Sequence, residues 1–172
     1  MLGSIWLTTD NKEIEKIIFE LSKKEKTITF KPHITVVNGI KSTNDNDLKL
    51  IIKKFKNIKN ILLNKKIVLE RKIIETGNTF SKSIFVTFLE NEDLLNLRKN
   101  IIDKLLKSNY EFNETFFPHL SLIYKTFSEE KQKQNLIKKI KIPKMIEFND
   151  LKLVLEEKPI ENNDDILKWK FF

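Results

Sequence analysis

Both histidines of the chain occur in the same short pattern, which appears twice. Each copy reads proline, histidine, an apolar residue, a hydroxyl residue and two apolar residues, as Pro32-His33-Ile34-Thr35-Val36-Val37 and Pro118-His119-Leu120-Ser121-Leu122-Ile123. A β-strand directs alternate side chains to opposite faces, so each imidazole shares a face with the hydroxyl two positions later. The apolar residues then face the other side, where they can pack against helices. Each strand is therefore predicted to present an imidazole beside a hydroxyl.

Two imidazoles that face one cleft are suited to acid–base chemistry near neutral pH. One neutral histidine can take a proton from water while the other, protonated, gives a proton to a leaving oxygen. The hydroxyls of Thr35 and Ser121 can donate hydrogen bonds to non-bridging phosphoryl oxygens. A phosphodiester is the natural reaction centre for this set, and it requires no metal. The pattern leaves open which histidine is the base, and a Ser-His-Asp hydrolase would not explain the duplication.

The composition excludes several other kinds of chemistry. The chain has no cysteine, so it has no disulfide, no thiolate nucleophile and no cysteine zinc site. Its three glycines, Gly3, Gly39 and Gly77, cannot form a P-loop, a dinucleotide-binding loop or a nucleophile elbow. Two histidines are too few for a histidine-rich metal site. We therefore expect neither a metal nor an organic cofactor.

The charge is basic, with 32 Lys and Arg against 24 Asp and Glu and a net charge of +8. A basic balance fits an anionic substrate or a nucleic acid. Only Arg71 and Arg98 are arginine, whereas surfaces that bind phosphate usually use more arginine forks. The abundance of lysine, asparagine and isoleucine is also what AT-rich coding would give. Charge alone therefore does not establish nucleic-acid binding.

The hydrophobic pattern predicts the elements that must position the two motifs. Strands are predicted at residues 4–8, 27–37, 65–76, 83–89, 116–124, 144–156 and 166–172. Four helices lie between them, with Asp10 or Asn11 capping the first, Asn91 capping the third and Pro143 ending the last. Helices and strands alternate, yet several neighbouring strands are joined like hairpins. This indicates an α+β protein with antiparallel or mixed sheets rather than a doubly wound parallel sheet.

The order strand, helix, strand is itself repeated, at residues 4–37 and again at residues 83–124. The second strand of each copy begins with Pro-His, and His33 and His119 are 86 residues apart in a chain of 172. This spacing predicts two similar lobes related by a pseudo-twofold axis, each with one histidine strand. We expect residues 1–172 to form one such bilobal domain.

At these two strands the chain resembles the 2H phosphoesterase superfamily, which is defined by paired His-x-Thr/Ser motifs. His33-Ile34-Thr35 and His119-Leu120-Ser121 are those motifs here. The resemblance extends to the plant and yeast cyclic phosphodiesterases through Gly3-Ser4-Ile5-Trp6 and Leu167-Lys168-Trp169, so it covers nearly the whole chain. It implies a bilobal α+β fold, with two antiparallel sheets around a cleft and helices outside. It also implies hydrolysis of ADP-ribose 1″,2″-cyclic phosphate or of nucleoside 2′,3′-cyclic phosphates to 2′-phosphates.

Site residues follow from the resemblance position by position. His33 and His119 would be the acid–base pair, and Thr35 and Ser121 would bind the phosphate. Tyr124 matches a position that lines the same cavity, although regular alternation from His119 would turn it away. Two further aromatic residues are expected to contact the substrate, Phe80 and Trp6, with core packing as the alternative for both. The plant enzymes have disulfides, and this cysteine-free chain departs from them there.

Two other functions compete with a metal-independent cyclic phosphodiesterase. A 2H enzyme for RNA ends, 2′-5′ oligoadenylates or cyclic oligonucleotide signals would use the same four residues. A non-catalytic RNA-binding module is the other, supported by the lysine-rich residues 53–66 and 131–144. We expect a small cyclic-phosphate nucleotide or an RNA end as substrate, a monomer without an obligate protein partner, and no membrane association. With no signal peptide in the sequence, we expect a cytoplasmic protein.

Overall fold

The computed structural model describes residues 2–41, 44–62, 66–106, 116–158 and 160–172. The strands are β1 (Leu2–Thr8), β2 (His33–Lys41), β3 (Ile67–Thr79), β4 (Lys82–Phe88), β5 (His119–Ile123), β6 (Met145–Phe148), β7 (Asp150–Glu156) and β8 (Lys170–Phe171). The helices are α1 (Lys12–Glu25), α2 (Asp45–Leu62), α3 (Glu92–Ile101), which continues into a π-helical turn (Ile102–Leu106), α4 (Glu130–Ile137) and α5 (Asn163–Leu167). Within these ranges, no helix is long and apolar enough to cross a membrane.

The eight strands form one antiparallel sheet in the order β6-β3-β4-β5-β2-β1-β7-β8. The histidine strands β2 and β5 are neighbours at its centre, and four strands lie in each half. This confirms the predicted α+β class and the antiparallel pairing. A strand that follows each repeat pairs with the first strand of the other repeat: β3, after β2, pairs with β4, and β7, after β5, pairs with β1. Neither lobe is therefore built from a contiguous half of the chain.

Helices α1 to α4 pack their apolar faces against one side of this sheet, whereas Ile166 of α5 packs with Trp6 and Tyr124 on the other side. Ile14, Ile18 and Leu21 of α1 are buried there, as the predicted helical spacing requires. Each aliphatic side chain removed from water contributes about 1.5–3 kcal/mol. The expected caps also form, because the Asn11 side chain accepts from two backbone N–H groups and the Asn91 side chain accepts from one. The opposite side of the sheet is left for the site described below.

The predicted strand at residues 144–156 is wrong as a single element. It is divided at Asn149 into β6, which pairs with β3, and β7, which pairs with β1. These two partners lie in opposite halves of the sheet, yet only one residue separates β6 from β7. The sheet must therefore curl until its two halves meet at this corner. A hydrogen bond from the backbone N–H of Asn149 to the carbonyl of Thr8 holds the corner to β1.

The other boundary errors have local causes. The strand predicted at 166–172 is shortened to β8, because the side chain of Asn162 accepts from the N–H groups of Asp164 and Asp165 and starts α5, which extends to Leu167. The histidine strands begin at His33 and His119 rather than several residues earlier, after prolines that have no N–H for the sheet. The predicted start of a strand at Lys65 lies outside the described residues, as do residues 63–65 of the first lysine-rich stretch.

Candidate active site

A cavity of about 320 Å³ opens on the sheet face opposite the main hydrophobic core. Its walls come from strands β1, β2, β5 and β7 and from three connecting segments. The lining residues are Ser4, Trp6, His33, Thr35, Asn38, Ser81, His119, Ser121, Tyr124, Glu156 and Ile160. Both predicted histidine–hydroxyl pairs therefore line one cavity, and within each pair the two side chains share a face, as strand alternation predicts.

The pairing of β2 with β5 explains how the four residues are arranged. The strands are antiparallel, and Ile34 is paired with Leu120, the two residues between histidine and hydroxyl. Continuing this register by one residue places each histidine opposite the hydroxyl residue of the other strand. The two histidines are then diagonal neighbours on one face, with Cβ atoms roughly 7 Å apart. A tetrahedral group between them would be flanked by two imidazoles and two hydroxyls in alternation.

Both imidazoles are held by the same backbone contact. Nδ1 of His33 lies 2.7 Å from the carbonyl oxygen of Lys31, and Nδ1 of His119 lies 2.9 Å from that of Phe117. A carbonyl oxygen only accepts, so Nδ1 carries the proton in both rings. Nε2 of each neutral ring is therefore left as the acceptor. Each ring can thus take up or release a proton at Nε2 without losing its orientation.

His33 is the more enclosed of the two histidines, with 6% of its surface exposed. Its ring stacks on the indole of Trp6 with centroids 3.5 Å apart and planes within 4° of parallel. Burial lowers the pKa of His33 to about 4. This histidine is therefore held neutral across the physiological pH range.

His119 lies in a more open setting. It is half-buried between the rings of Phe85 and Phe117, whose centroids are 5.5 Å and 5.7 Å away. Burial lowers the pKa of His119 too, and the positive charge of Lys82 adds to the decrease, whereas the hydrogen bond to the Phe117 carbonyl raises it. Because part of the ring remains in contact with water, His119 is charged more easily than His33.

Tyr124 faces the cavity because β5 contains an extra residue. Ser121 pairs with Phe85 of β4, and Ile123 pairs with the adjacent Ile84. The residue between them in β5, Leu122, therefore has no partner of its own and forms a bulge. A bulge reverses the alternation beyond it, and Tyr124 therefore returns to the face of His119. This resolves the conflict between the resemblance and regular alternation.

The hydroxyl of Tyr124 lies 3.3 Å from Nε2 of His33. Burial raises the pKa of the Tyr124 phenol, so the group stays protonated and donates to the ring nitrogen. Its ring stacks on Phe30 with centroids 3.9 Å apart, which fixes its position. Tyr124, which follows β5, therefore forms a hydrogen bond with the histidine of the other strand, His33 on β2.

We expect Tyr124→Phe to lower kcat/KM by about 5- to 10-fold, since one hydrogen bond contributes about 1 kcal/mol. The phenylalanine keeps the stack on Phe30 but removes the donor that stabilises neutral His33. The pKa of His33 should therefore rise, and activity should begin to fall at a higher pH on the acid side. A pH–rate profile of both proteins measures this shift. If the acid side of the pH–rate profile is the same in both proteins, this would contradict a hydrogen bond from Tyr124 to His33.

The two hydroxyls differ in their partners. Ser121 Oγ donates to the carbonyl oxygen of Ser81 at 2.7 Å. The Thr35 hydroxyl makes no hydrogen bond to any residue that the structure describes. Thr35 can therefore turn to a phosphoryl oxygen without breaking a contact, whereas Ser121 must exchange one.

The two remaining predicted residues occupy different positions. Trp6 lines the cavity, but His33 covers one face of its indole and only 3% of its surface is exposed. Phe80 is absent from the cavity wall and packs, half-buried, beside Tyr124 with ring centroids 6.2 Å apart. Trp6 therefore packs against His33, and Phe80 packs against Tyr124 outside the cavity wall.

Sequence reasoning missed four polar residues of the cavity, Ser4, Asn38, Ser81 and Glu156. Asn38 is the counterpart of Tyr124, since each follows its histidine by five residues. Thr35 and Val37 of β2 pair with adjacent residues of β1, so β2 has a bulge between them. This bulge turns Asn38 to the cavity in the same way. The repeat itself was the signal that could have identified it. Glu156 carries no such signal in the sequence.

No three His, Cys, Asp or Glu side chains are grouped to hold a metal ion in the part of the chain that the structure describes.

Solved structures with the same fold cover nearly the whole chain. TT0787 of Thermus thermophilus matches with a TM-score of 0.60 and 12% identity, over 100% of this chain and 94% of that one. E. coli LigT in apo form matches with a TM-score of 0.56 and 12% identity, over 99% and 92%. Usb1 of Kluyveromyces marxianus matches with a TM-score of 0.54 and 12% identity, over 88% and 92%. The chain therefore has the 2H phosphoesterase fold.

The sequence identifies the family within this class. A model described as "Cyclic phosphodiesterase-like protein" matches residues 1–157, and the chain belongs to that family. Comparison with curated proteins gives no significant match. Family membership and fold together support a phosphodiesterase in general terms and confirm the resemblance drawn from the two motifs.

Proposed function

We propose that this protein hydrolyses cyclic phosphodiesters by acid–base catalysis with two histidines. The substrates are nucleoside 2′,3′-cyclic phosphates, opened to 2′-phosphates, ADP-ribose 1″,2″-cyclic phosphate, opened to the 1″-phosphate, or both. One observation carries the proposal: His33 and His119 line one cavity, and in each ring the Nδ1 proton is held by the backbone, which leaves Nε2 for proton transfer. Thr35 and Ser121 lie between them and can donate to the phosphoryl oxygens.

The difference in burial supports different roles for the two histidines in this proposal. His33 is enclosed and neutral, so it takes the proton from the attacking water at Nε2. His119 is closer to solvent and is charged more easily, so it gives its proton to the leaving sugar oxygen. A phosphate anion in the cavity favours the protonated form of His119 further. After one turnover the two rings have exchanged protons with the substrate and return to their starting states through solvent.

The size of the cavity supports a small substrate. About 320 Å³ is near the lower end of the roughly 300–1,000 Å³ found for small-molecule sites. E. coli LigT, which shares the fold, has been solved in complex with 3′-AMP, with phosphate and with ATP. Phosphate-bearing ligands of nucleotide size are therefore compatible with a cavity on this fold.

A second candidate is a 2H enzyme that acts on the end of an RNA or on an oligonucleotide. Lys82 favours it, because its Nζ lies over the rings of Phe85 and Phe117 beside His119. Lys82 forms no ion pair within the described ranges, so it is available for a further phosphate. The same four residues would perform the reaction.

Phosphorus NMR tests the proposal directly. Wild type and His119→Ala are incubated in EDTA with a nucleoside 2′,3′-cyclic phosphate and with ADP-ribose 1″,2″-cyclic phosphate. We expect ring opening by the wild type alone, and the chemical shift of the product identifies the bond broken. If folded wild type opens neither ring but cleaves an oligonucleotide, the second candidate is favoured. Salt-dependent RNA binding without turnover would favour a binding module instead.

The pKa values of the two histidines predict a bell-shaped profile of kcat/KM against pH. Activity requires His33 neutral, so it should fall below about pH 4 as that ring takes up a proton. Activity also requires His119 protonated, so it should fall again as the pH rises past the pKa of His119, which lies below 6.5. The maximum is therefore expected on the acid side of neutrality. A value of kcat/KM that only rises between pH 3.5 and 8 would contradict a mechanism with neutral His33 and protonated His119.

A further inference from the structure

Three polar side chains form one wall of the cavity, on the side of β2 away from β5. They are Asn38 on β2, Ser4 on β1 and Glu156 on β7, so they belong to three adjacent strands. None of the three side chains makes a hydrogen bond or an ion pair within the described part of the chain. This wall therefore presents hydrogen-bonding groups to the cavity that none of the described residues uses.

A carboxylate is unexpected in a site for phosphate. Glu156 is half-buried, and burial raises the pKa of its carboxyl group. A half-buried carboxylate without a partner costs free energy unless a ligand supplies a hydrogen-bond donor. A phosphate cannot do so, because it would add a second negative charge. Within a phosphate-bearing substrate, the part that fits Glu156 is an uncharged group that carries N–H or O–H donors.

Charges of opposite sign lie on the two sides of the histidine pair, with Glu156 in the cavity wall and Lys82 outside it. Lys82 lies beside His119 on the β4 side, whereas Glu156 lies on the β7 side, beyond β1. A nucleotide is polar in the same sense, with an anionic phosphate at one end and a base with donor groups at the other. The phosphate is placed by the two histidines at the centre. The base then extends towards Glu156, away from Lys82.

We propose that Glu156, with Asn38 and Ser4 beside it, binds the donor edge of the nucleobase and selects guanine over uracil. The proposal rests on the proposed hydrolysis of nucleoside 2′,3′-cyclic phosphates. Guanine offers two adjacent donors, N1–H and the N2 amino group, which match the two oxygens of a carboxylate. Uracil offers one N–H between two carbonyl oxygens, and these would repel the carboxylate. A good bidentate contact of this kind discriminates between bases by roughly 5- to 150-fold.

The test compares kcat/KM for guanosine, adenosine, cytidine and uridine 2′,3′-cyclic phosphates in wild type, Glu156→Gln and Glu157→Gln. Glu157 is exposed and absent from the cavity wall, so its substitution is a matched control. Wild type and the control are expected to prefer guanosine over uridine by about 10-fold or more. Glu156→Gln should lose most of this preference, chiefly through a lower value for guanosine. Equal rates for all bases in wild type, or one common factor for all four substrates in Glu156→Gln, would overturn the proposal.

Binding separates this proposal from the proposed reaction. Calorimetry with guanosine and uridine 2′-monophosphates measures the preference without turnover. If the wild type hydrolyses no cyclic phosphate but binds the guanosine compound more tightly in a manner that depends on Glu156, the reaction is wrong and the base subsite stands. If it hydrolyses all four substrates and binds both monophosphates equally, the reaction stands and the base subsite is wrong.

Discussion

Replacing either histidine is expected to lower kcat by about 10²–10⁴, the range that general acid–base catalysis contributes. His119→Ala removes the proton donor for the leaving oxygen. For His33 we prefer His33→Gln, because glutamine keeps a planar group against the indole of Trp6 and limits the loss of packing. Phosphorus NMR of ring opening measures both variants, and circular dichroism shows that they remain folded. Turnover within 10-fold of wild type in either folded variant would rule out the two-histidine mechanism.

The roles of the two histidines can be separated with an activated substrate. The p-nitrophenolate group of bis(p-nitrophenyl) phosphate leaves without a proton, so the acid is no longer needed, while the water must still be activated. His119→Ala should therefore recover most of its loss on this substrate, and His33→Gln should not. The reverse result would exchange the two roles while leaving the reaction itself intact.

Removing the hydroxyls is the second large effect that we expect. Thr35→Val keeps the shape of the side chain but removes a donor to the phosphoryl oxygens, and the loss of one such donor costs about 10²-fold in kcat. Ser121→Ala should cost less, about 10-fold, because the Ser121 hydroxyl already donates to Ser81 and must exchange that bond for the substrate. The order of the two effects is the informative result.

Controls for these variants lie on the surface. Thr126→Val and Ser128→Ala make the same chemical changes at exposed positions outside the cavity and should leave kcat/KM unchanged. Steady-state rates with a nucleoside 2′,3′-cyclic phosphate measure all four variants. A larger loss in Ser121→Ala than in Thr35→Val would contradict the difference in partners. Equal activity in all four variants would show that neither the Thr35 nor the Ser121 hydroxyl contributes to catalysis.

The sequence could predict the centre of the site because the rule that governs it is local. Alternation along a strand places His33 with Thr35 and His119 with Ser121, whatever the rest of the chain does. Capping is equally local, and Asn11 and Asn91 begin their helices as expected. The β-α-β repeat also predicted two related halves, and the antiparallel halves about β2 and β5 confirm this. The catalytic roles of the four residues stay predictions until the variants are measured.

Long-range pairing decided the features that the sequence did not show. The bulge at Leu122 depends on the register of β5 against β4, and it alone turns Tyr124 towards His33. The corner at Asn149 exists because β6 and β7 pair with strands in opposite halves of the sheet. Glu156 reaches the cavity only because β7 lies beside β1 rather than beside the strand before it in the chain.

The sequence by itself determined the residues that could perform the chemistry, their order along two strands and the twofold repeat that contains them. Only the tertiary structure decided that the two histidines differ. His33 is covered by Trp6 and becomes neutral through burial, whereas His119 keeps contact with solvent beside Lys82. The two motifs are nearly identical as sequence, so this difference cannot come from them. It comes from the side chains that neighbouring strands place around each ring, because the pKa of an imidazole depends on how far its charged form is removed from water.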